Sequence, residues 1–344
     1  MGLGGEGMER QGVELLAPLE DLAVMGFAEV VTRLPFFVRL GRYLDRILKE
    51  EQVDLVLPID YPGFNLRMAK RAWKRGIPVL YYIAPQVWAW KPRRAKDLAR
   101  YCDRVAVILP FEVEILKAAG ADVRFVGHPL VDREPEVPGR EEFCATNGFD
   151  PHRPILALFP GSRRQELERH VPLFREVASR LTTEHPDLQV GLARAAGVRS
   201  EDLSMGDVRQ VPDGRALLRY SRAALVKSGT TTLEAAIEGT PFVTVYRTHP
   251  LTFALAQRLV KVDHVALANL VVGRRVVPEL LQGEATAGAV VEALSPLLED
   301  SERRREVVAG LQTVREHLGS PGAAKRVAAL ATELLEPSSS RAGR

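Results

Sequence analysis

Apolar runs alternate with amphipathic stretches along most of the chain, and glycine, proline or charged residues separate them. In the first half the apolar runs predict strands at Val53–Ile59, Pro78–Ile83, Arg104–Leu109 and Val123–Val126. Helical periodicity fills the stretches between these runs. This alternation predicts an α/β fold with a parallel, doubly wound sheet, in which ligands bind beyond the carboxyl ends of the strands.

The alternation restarts after Asp132–Pro154, a stretch rich in proline, glycine and charge that is typical of a domain boundary. A strand at Ile155–Phe159 and a helix at Gln165–Leu181 follow it, and the last third of the chain has helical periodicity. The two halves therefore resemble each other as two Rossmann-like units, and we expect two domains.

The most informative stretch is Ala223–Val245. An apolar strand, a Ser228-Gly229 turn, three threonines and a short helix precede a second apolar strand, which is a βαβ unit. Backbone N–H groups at such a helix start, with hydroxyls beside them, suit a phosphate, and Glu234 could accept hydrogen bonds from a sugar. Ordinary helix capping with a solvated glutamate is the alternative interpretation.

Gly161-Ser162-Arg163 forms a second turn of this kind, after a strand and before a helix. Its N–H groups and hydroxyl could hold an oxygen, and its guanidinium could make a forked contact. A single strand–Gly–Ser turn is common, but two of them at strand carboxyl ends of one domain could face one diphosphate.

Three residues at strand ends could transfer protons. Asp60 follows an apolar strand and could act as a general base, or it could cap the helix that follows. His128 and His249 each precede a proline, so each is either a base or phosphate partner or an ordinary loop histidine.

Two basic segments with aromatic residues could contact a membrane. Leu22–Val38 is apolar nearly all round with arginines interspersed, so it could lie on a lipid surface or pack as a core helix. Near Trp88 and Trp90, basic residues suit an anionic lipid head group, single-stranded nucleic acid or a merely solvated helix face. These basic residues are Lys91, Arg93, Arg94, Lys96 and Arg100.

Composition limits the remaining possibilities. The chain has 344 residues, 46% of them hydrophobic, and a formal net charge of +3, which is typical of a soluble globular protein and too small to indicate nucleic-acid binding. Two cysteines without a CxxC motif fit a reducing cytoplasm, and no export signal or run of about 18 apolar residues is present. Membrane contact would thus be peripheral. Histidine and cysteine never occur at ligand spacing, so we expect no metal.

Several segments together resemble the lipid A disaccharide synthase family, in the same order and over nearly the whole chain. The most specific are Ile59-Asp60-Tyr61-Pro62-Gly63-Phe64-Asn65 and Ala84-Pro85-Gln86-Val87-Trp88-Ala89-Trp90. The others are Val24-Met25-Gly26, Leu109-Pro110-Phe111-Glu112, Phe125-Val126-Gly127-His128-Pro129, Phe159-Pro160-Gly161-Ser162-Arg163 with Glu166, Ser228-Gly229-Thr230 with Glu234, and Leu259-Val260-Lys261 through Asn269-Leu270.

The resemblance implies a GT-B glycosyltransferase, with two Rossmann-like domains facing a cleft. Such enzymes transfer 2,3-diacylglucosamine from UDP to the 6-hydroxyl of 2,3-diacylglucosamine 1-phosphate. Inversion at the anomeric carbon gives the β-1,6 disaccharide of lipopolysaccharide biosynthesis. The family needs no cofactor or metal, works in the cytoplasm at the inner face of the membrane, and can form homodimers that exchange C-terminal helices.

The resemblance also assigns roles to residues. It implies that Asp60 is the general base for the acceptor hydroxyl, and that Asn269 lies on the nucleotide side. The other residues expected to bind UDP are Gly161, Ser162, Arg163, Gly229, Thr230 and Glu234, and those expected on the acceptor and lipid side are Gln86, Trp88, Arg93, Arg94 and His128.

The expected domains are an acceptor- and lipid-side domain at 1–131, a UDP-sugar domain at 132–322, and a crossover helix with a tail at 323–344. One departure from the family concerns the start. The family opens with a strand, a Gly-Glu-Ala-Ser-Gly-Asp loop and a helix, whereas here the match begins around Gly2–Met8, so about 40 residues, or one βα unit, are expected to be missing. A misassigned start codon or a real truncation would explain this. Two other functions therefore stay open, a non-catalytic UDP- or lipid-binding remnant and another GT-B UDP-sugar transferase or epimerase.

Overall fold

A computed structural model describes residues 1–18, 34–88, 93–132, 137–195, 197–203, 205–206, 208–249, 253 and 263–336. Most of Leu22–Val38 lies outside these residues, as do Trp90, Lys91 and the predicted tail from Pro337 onward. The described chain folds into two α/β halves with parallel sheets, so the predicted fold class is confirmed.

The first half contains a parallel sheet of three short strands covered by helices. Its elements are β1 (Gly2–Gly4), α1 (Glu6–Glu9), β2 (Leu15–Pro18), α2 (Leu34–Glu50), α3 (Pro62–Trp73), β3 (Leu80–Tyr82), α4 (Arg93–Tyr101), β4 (Arg104–Val107), α5 (Glu112–Ala118), β5 (Val123–Phe125) and α6 (Pro129–Asp132). The strand order is β3-β4-β5, while β1 and β2 form a separate parallel pair. Tyr81, Val105 and Leu98 are fully buried in the core between the sheet and the helices.

The predicted strand Val53–Ile59 is less regular than expected. It forms isolated bridges to the β3 edge, at Val56 with Val79 and at Ile59 with Tyr82. Pro58 has no N–H to donate, although its carbonyl accepts a hydrogen bond from the Tyr82 N–H at 2.8 Å. The segment therefore runs along the sheet edge as an irregular strand, and its carboxyl end delivers Asp60.

The second half is a six-stranded parallel sheet with helices on its faces. Its elements are α7 (Arg140–Asn147), β6 (Ile155–Phe159), α8 (Arg164–Glu184), β7 (Gln189–Ala193), a 3₁₀ turn (Ser200–Leu203), β8 (Arg209–Val211), α9 (Gly214–Tyr220), β9 (Ala223–Lys227), α10 (Thr231–Glu238), β10 (Phe242–Tyr246), α11 (Leu267–Val272), β11 (Glu279–Leu281), a 3₁₀ turn (Gln282–Glu284), α12 (Ala287–Leu298), α13 (Glu302–His317) and α14 (Ala323–Leu335).

The strand order of this sheet, β11-β10-β9-β6-β7-β8, places its topological switch point between β6 and β9. Both strands are central and apolar; in the register, Phe159 pairs with Val226. In a doubly wound sheet a cleft opens at the point where the strand order reverses. The two glycine turns that follow β6 and β9 therefore meet at the point where such a sheet binds ligands.

The helix α14 returns to the first half. Its residues Val327 and Leu330 pack with Leu80 and Ala106 of the first sheet in one apolar cluster. The Asp132 carboxylate accepts hydrogen bonds from the N–H groups that open α14, at 2.6 Å from Gly322 and 3.2 Å from Ala323. The chain thus crosses between its halves twice, and α14 packs on the sheet of its own chain.

Candidate active site

The two predicted glycine turns line one cavity of about 400 Å³, which we call the turn cavity. Gly161–Arg163 contribute from the end of β6 and Ser228–Thr231 from the end of β9. The residues that line it are Phe159, Gly161, Ser162, Arg163, Glu166, Ala193, Arg194, Ala195, Pro212, Gly214, Lys227, Ser228, Gly229, Thr230, Thr231 and Glu234. The structure therefore brings together all the UDP-site residues predicted from the sequence except Asn269.

The first turn is shaped around Glu166. Gly161 has a φ of +119°, and a Cβ there would lie 2.6 Å from the Glu166 Oε2. That oxygen accepts hydrogen bonds from the N–H groups of Ser162 and Arg163, at 3.2 and 3.4 Å. Glycine is thus required because the carboxylate folds back over the start of α8.

Glu166 also pairs with Lys227 across the cavity, with 2.9 Å between Oε1 and Nζ. Burial alone would raise the pKa of Glu166, but the hydrogen bond and charge of Lys227, together with the Ser162 and Arg163 amides, outweigh it and lower that pKa. The Glu166 carboxylate is thus held in its charged form beside the helix start.

The second turn differs from an ordinary capped helix start. Thr230 is the N-cap of α10 but makes no side-chain capping bond, and the Thr232 hydroxyl donates instead to the Gly229 carbonyl at 2.8 Å. Glu234 is half-buried in the cavity wall rather than fully solvated. Both observations favour a binding role for this turn over the simple capping interpretation.

Asn269 lies outside the turn cavity, in a buried network. Its amide nitrogen donates to Glu279 Oε1 at 2.7 Å, and its oxygen accepts from the N–H groups of Val276 and Val277. Glu279 in turn accepts from the N–H of Val265, whose carbonyl receives the Ser228 hydroxyl. The network links Asn269 to the second turn, while a direct contact between Asn269 and a nucleotide stays a prediction.

His170 lies in the helix α8, one turn after Glu166. It is fully buried; its Nδ1 lies 2.7 Å from the Glu166 carbonyl, and its Nε2 accepts from the Arg247 N–H at 3.0 Å. This acceptor role puts the ring proton on Nδ1, and burial lowers the pKa of His170. A neutral histidine therefore ties the start of α8 to the segment after β10, on which His249 lies.

Asp60 lines a second cavity of about 440 Å³, the Asp60 cavity, between the two halves. Its first-half residues include Gln86, Arg94, Glu112 and His128. Thr230 and Leu267 close it from the second half. Since Thr230 also lines the turn cavity, the two cavities adjoin at the start of α10.

The backbone is strained where it holds Asp60. Asp60, Tyr61 and Ile83 have φ values of +48°, +44° and +59°, in the left-handed region that side chains other than glycine avoid. The Tyr81 hydroxyl and the Asn65 amide donate to the Asp60 carbonyl, at 2.7 and 2.8 Å, and fix this turn. Such strain is typical of functional sites.

The Asp60 side chain does not cap the helix that follows. The N-cap of α3 is Tyr61, and α3 has no side-chain capping bond. Asp60 is exposed, and among the described residues none donates a hydrogen bond to its carboxylate. The carboxylate is thus available to a ligand, which favours the general-base interpretation over the capping one.

Glu112 is a residue of this cavity that the sequence reasoning did not assign. It is 2% exposed, and burial raises its pKa to about 7, although bonds from the Trp88 indole and the Leu109 amide, both 3.3 Å, act against the rise. Its place directly after an apolar strand, in the Leu109-Pro110-Phe111-Glu112 motif, was the signal that could have found it.

His128 is 6% exposed, and burial lowers its pKa to about 4. Its Nδ1 accepts from the Leu130 N–H at 3.2 Å, so the ring proton lies on Nε2. A neutral His128 is suited to donate a hydrogen bond rather than to act as a strong base.

The remaining predicted acceptor-side residues are dispersed. Trp88 packs edge-on against Phe111, with centroids 5.3 Å apart, and donates to Glu112, so it supports the Asp60 cavity from within. Arg94 lines that cavity and Gln86 lies at its exposed wall, whereas Arg93 lies exposed at the start of α4.

A larger cavity of about 700 Å³ lies at the opposite, amino ends of the strands. Its arginines are already used for structure, since Arg140 donates to three backbone carbonyls and Arg304 to two. We therefore place the site at the carboxyl ends. Across the described ranges, no group of three His, Cys, Asp or Glu side chains could hold a metal ion.

Comparisons with known proteins identify the family of the chain. The family described as "Lipid-A-disaccharide synthetase" matches residues 1–332. The lipid-A-disaccharide synthase of Geobacter sulfurreducens is 40% identical over 341 residues, covering 97% of this chain and 89% of the relative. That of Anaeromyxobacter sp. strain K is 43% identical over 336 residues, covering 95% and 87%.

Solved structures show the same fold at low identity. A UDP-GlcNAc 2-epimerase from Neisseria meningitidis, bound to UDP-GlcNAc, has a TM-score of 0.65 at 13% identity and covers 95% of this chain and 87% of its own. A calicheamicin glycosyltransferase has a TM-score of 0.57 at 17% identity, with coverage of 96% and 88%. The fold is thus the GT-B arrangement of two Rossmann-like domains.

Proposed function

This chain belongs to the lipid-A-disaccharide synthase family of glycosyltransferases, and we propose that it joins two acylated glucosamines. The donor is UDP-2,3-diacylglucosamine, the acceptor is 2,3-diacylglucosamine 1-phosphate, and the products are the β-1,6 disaccharide 1-phosphate and UDP. The observation that carries this proposal is Thr230, which lines both the turn cavity and the Asp60 cavity. A donor held in the first cavity would therefore present its sugar to the second.

In this proposal the turn cavity holds the UDP part of the donor. The N–H groups after Gly229, together with Ser162 and Arg163, would face the diphosphate, because helix starts attract anions. The half-buried Glu234 would accept hydrogen bonds from the ribose hydroxyls. Asn269 would act on the nucleotide side through the Glu279 network that holds the loop behind the second turn.

The Asp60 cavity would hold the acceptor sugar. Asp60 takes the proton from the 6-hydroxyl while that oxygen attacks the anomeric carbon from the face opposite UDP. The bond from the anomeric carbon to the phosphate oxygen breaks, and UDP leaves with its electron pair, which inverts the configuration. Arg94 lies in the same cavity and could face the acceptor's phosphate, with Gln86 and His128 as hydrogen-bonding neighbours.

The outer face of α2 is the surface we propose for the membrane. Val38 and Tyr43 are 43% and 44% exposed, and the exposed arginines Arg39, Arg42 and Arg46 flank them on the same helix face. Aromatic and basic side chains together favour an anionic lipid interface. No described helix is long and apolar enough to span a bilayer. We therefore propose a peripheral location at the inner membrane, with Trp88 and Arg93 on the lipid side.

We also propose that the domains divide at 131 and 322, with α14 as the crossover element. A homodimer that exchanges C-terminal helices would require α14 to leave the sheet on which it packs. Light scattering of the purified protein would show whether it is a dimer.

The function is tested by the release of UDP from UDP-2,3-diacylglucosamine. We expect release only when the acylated acceptor is also present. Equal turnover with a non-acylated glucosamine 1-phosphate would favour another GT-B transferase. Conversion of the donor to its C2 epimer would favour an epimerase, and UDP binding without turnover in any pair would favour a non-catalytic protein.

A further inference from the structure

Lys227 is a charged residue of the turn cavity that neither the sequence motifs nor the proposed roles include. It ends β9, directly before the Ser228–Thr231 turn, and its side chain is 15% exposed. Its ammonium lies 2.9 Å from the Glu166 carboxylate and 5.7 Å from the centre of the Tyr246 ring. A cation is therefore built into the cavity wall.

The position of this ammonium relates it to both turns. A Cβ placed on Gly229 would lie 3.8 Å from Nζ, so the charge sits beside the second turn. Its partner Glu166 accepts the Ser162 and Arg163 N–H groups, so the charge also sits beside the first. An anion that bridges the two turns would lie within reach of Lys227.

We propose that Lys227 is a ligand of the donor's diphosphate and stabilises the UDP that leaves, with Glu166 as the residue that positions its ammonium. This inference rests on the proposed function of the turn cavity. No proton moves at Lys227. When the bond from the anomeric carbon to the phosphate oxygen breaks, the electron pair stays on UDP, and the ammonium faces the added negative charge.

Glu166 stabilises the charge of Lys227 in the wall of the turn cavity. A buried charge without a partner is costly, and the Glu166 carboxylate supplies the counter-charge. The N–H groups of Ser162 and Arg163 also donate to this carboxylate, so it remains satisfied if the ammonium shifts toward a phosphate. The ion pair thus positions Lys227 between the two turns and leaves its ammonium able to contact a phosphate.

The test compares binding of UDP and uridine to the full chain. Removing Lys227 alone would leave Glu166 without its partner, so the informative variant is Lys227→Met with Glu166→Gln, and its reference is Glu166→Gln alone. We expect the double variant to bind UDP about tenfold to hundredfold more weakly than the reference, with unchanged uridine affinity. Lys227→Arg should keep UDP affinity, because the positive charge is retained.

The exposed Lys325, on α14, provides a control with the same charge change, and Lys325→Met should bind UDP like the wild type. Thermal unfolding of each variant identifies any that fail to fold. If the ion pair only stabilises the packing of β9 against α8, the ratio of UDP to uridine affinity will be unchanged in the double variant. That result would overturn the proposal. If the wild type itself binds no UDP, the proposed function fails instead, and the two failures are distinguishable.

Turnover gives a second readout. The double variant should lower kcat relative to Glu166→Gln by about tenfold or more, because the lost contact acts on the departing UDP. A change confined to KM would show that Lys227 only binds the donor, and it would contradict the leaving-group role.

Discussion

The two adjoining cavities use different physical means. The turn cavity is made of backbone N–H groups and of charges that are already paired, as Lys227 is with Glu166. In the Asp60 cavity, Asp60 extends from a strained turn, and Glu112 and His128 are buried with strongly shifted pKa values. In the proposed function the turn cavity holds an anion, and the Asp60 cavity transfers a proton. A substitution in one cavity can therefore leave the function of the other cavity unchanged.

The largest expected effect separates catalysis from donor binding. Asp60→Ala removes the proposed base and should lower turnover by about 10²–10⁴-fold. UDP affinity should stay at the wild-type value, since Asp60 lies outside the turn cavity. Steady-state UDP release and calorimetric UDP titration measure the two quantities. Near-normal turnover, or a parallel loss of UDP affinity, would show that the two cavities do not have these separate roles.

Glu112 should make the protein less stable as the pH rises. Its pKa is about 7 in the folded chain against an ordinary 4.5, so the folded state binds the proton more tightly. The free energy of unfolding should therefore fall between about pH 4.5 and pH 7, by about 3 kcal/mol from this group. Glu112→Gln removes this fall in urea unfolding at several pH values. Glu114→Gln is the control, because that side chain is 84% exposed.

His128 should act in the opposite direction. Its pKa is about 4 in the folded chain against an ordinary 6.5, so the unfolded chain binds the proton more tightly. Stability from this group is present above pH 6.5 and is lost as the pH falls toward 4, by about 3 kcal/mol. Compared with the wild type, the Glu112→Gln variant should therefore gain more stability as the pH rises, and the His128→Gln variant should gain less. Identical pH dependences in both variants would refute these assignments.

Gly161→Ala should weaken only the turn cavity. A left-handed alanine costs about 1–3 kcal/mol, and its Cβ would meet the Glu166 carboxylate that covers the turn. We expect weaker UDP binding and a lower melting temperature. Gly139→Ala is the matched control, since its φ is −58° and its Cβ would meet nothing within 4 Å. Equal effects of the two substitutions would remove the special role of Gly161.

The sequence predicted the parts of this molecule that depend on local pattern. The strand Ile155–Phe159 matches its predicted bounds, and the helix predicted at Gln165–Leu181 is found at Arg164–Glu184, because a buried strand and an amphipathic helix each leave a clear period. The βαβ unit around Gly229 also appears as predicted. Val53–Ile59 is irregular because proline interrupts its ladder, which an apolar run alone does not reveal.

The groups that the sequence missed depend on distant contacts. Lys227 meets Glu166 across 61 positions of the chain, and Glu112 meets Trp88 across 24. Glu112 stands in a motif that the sequence shows, but its burial and its bond with Trp88 appear only in the folded chain. Nothing local distinguishes Lys227 from other charged positions near a strand end. Likewise, the sequence shows the motif that includes Trp88, but the hydrogen bond from its indole to Glu112 appears only in the folded chain. Burial and pairing across the fold decide such roles.

The return of α14 has a consequence for how the chain can be cut. The two crossings lie side by side, since the His128 N–H donates to the Leu318 carbonyl at 2.8 Å and Gly319 packs on Gly127. Topologically, the second domain is an insertion whose two ends are neighbours on the surface of the first. A shortened protein that stops before Ala323 would not simply lose an appendage. It would expose Leu80 and Ala106 to solvent, so the first domain would be the one that loses stability.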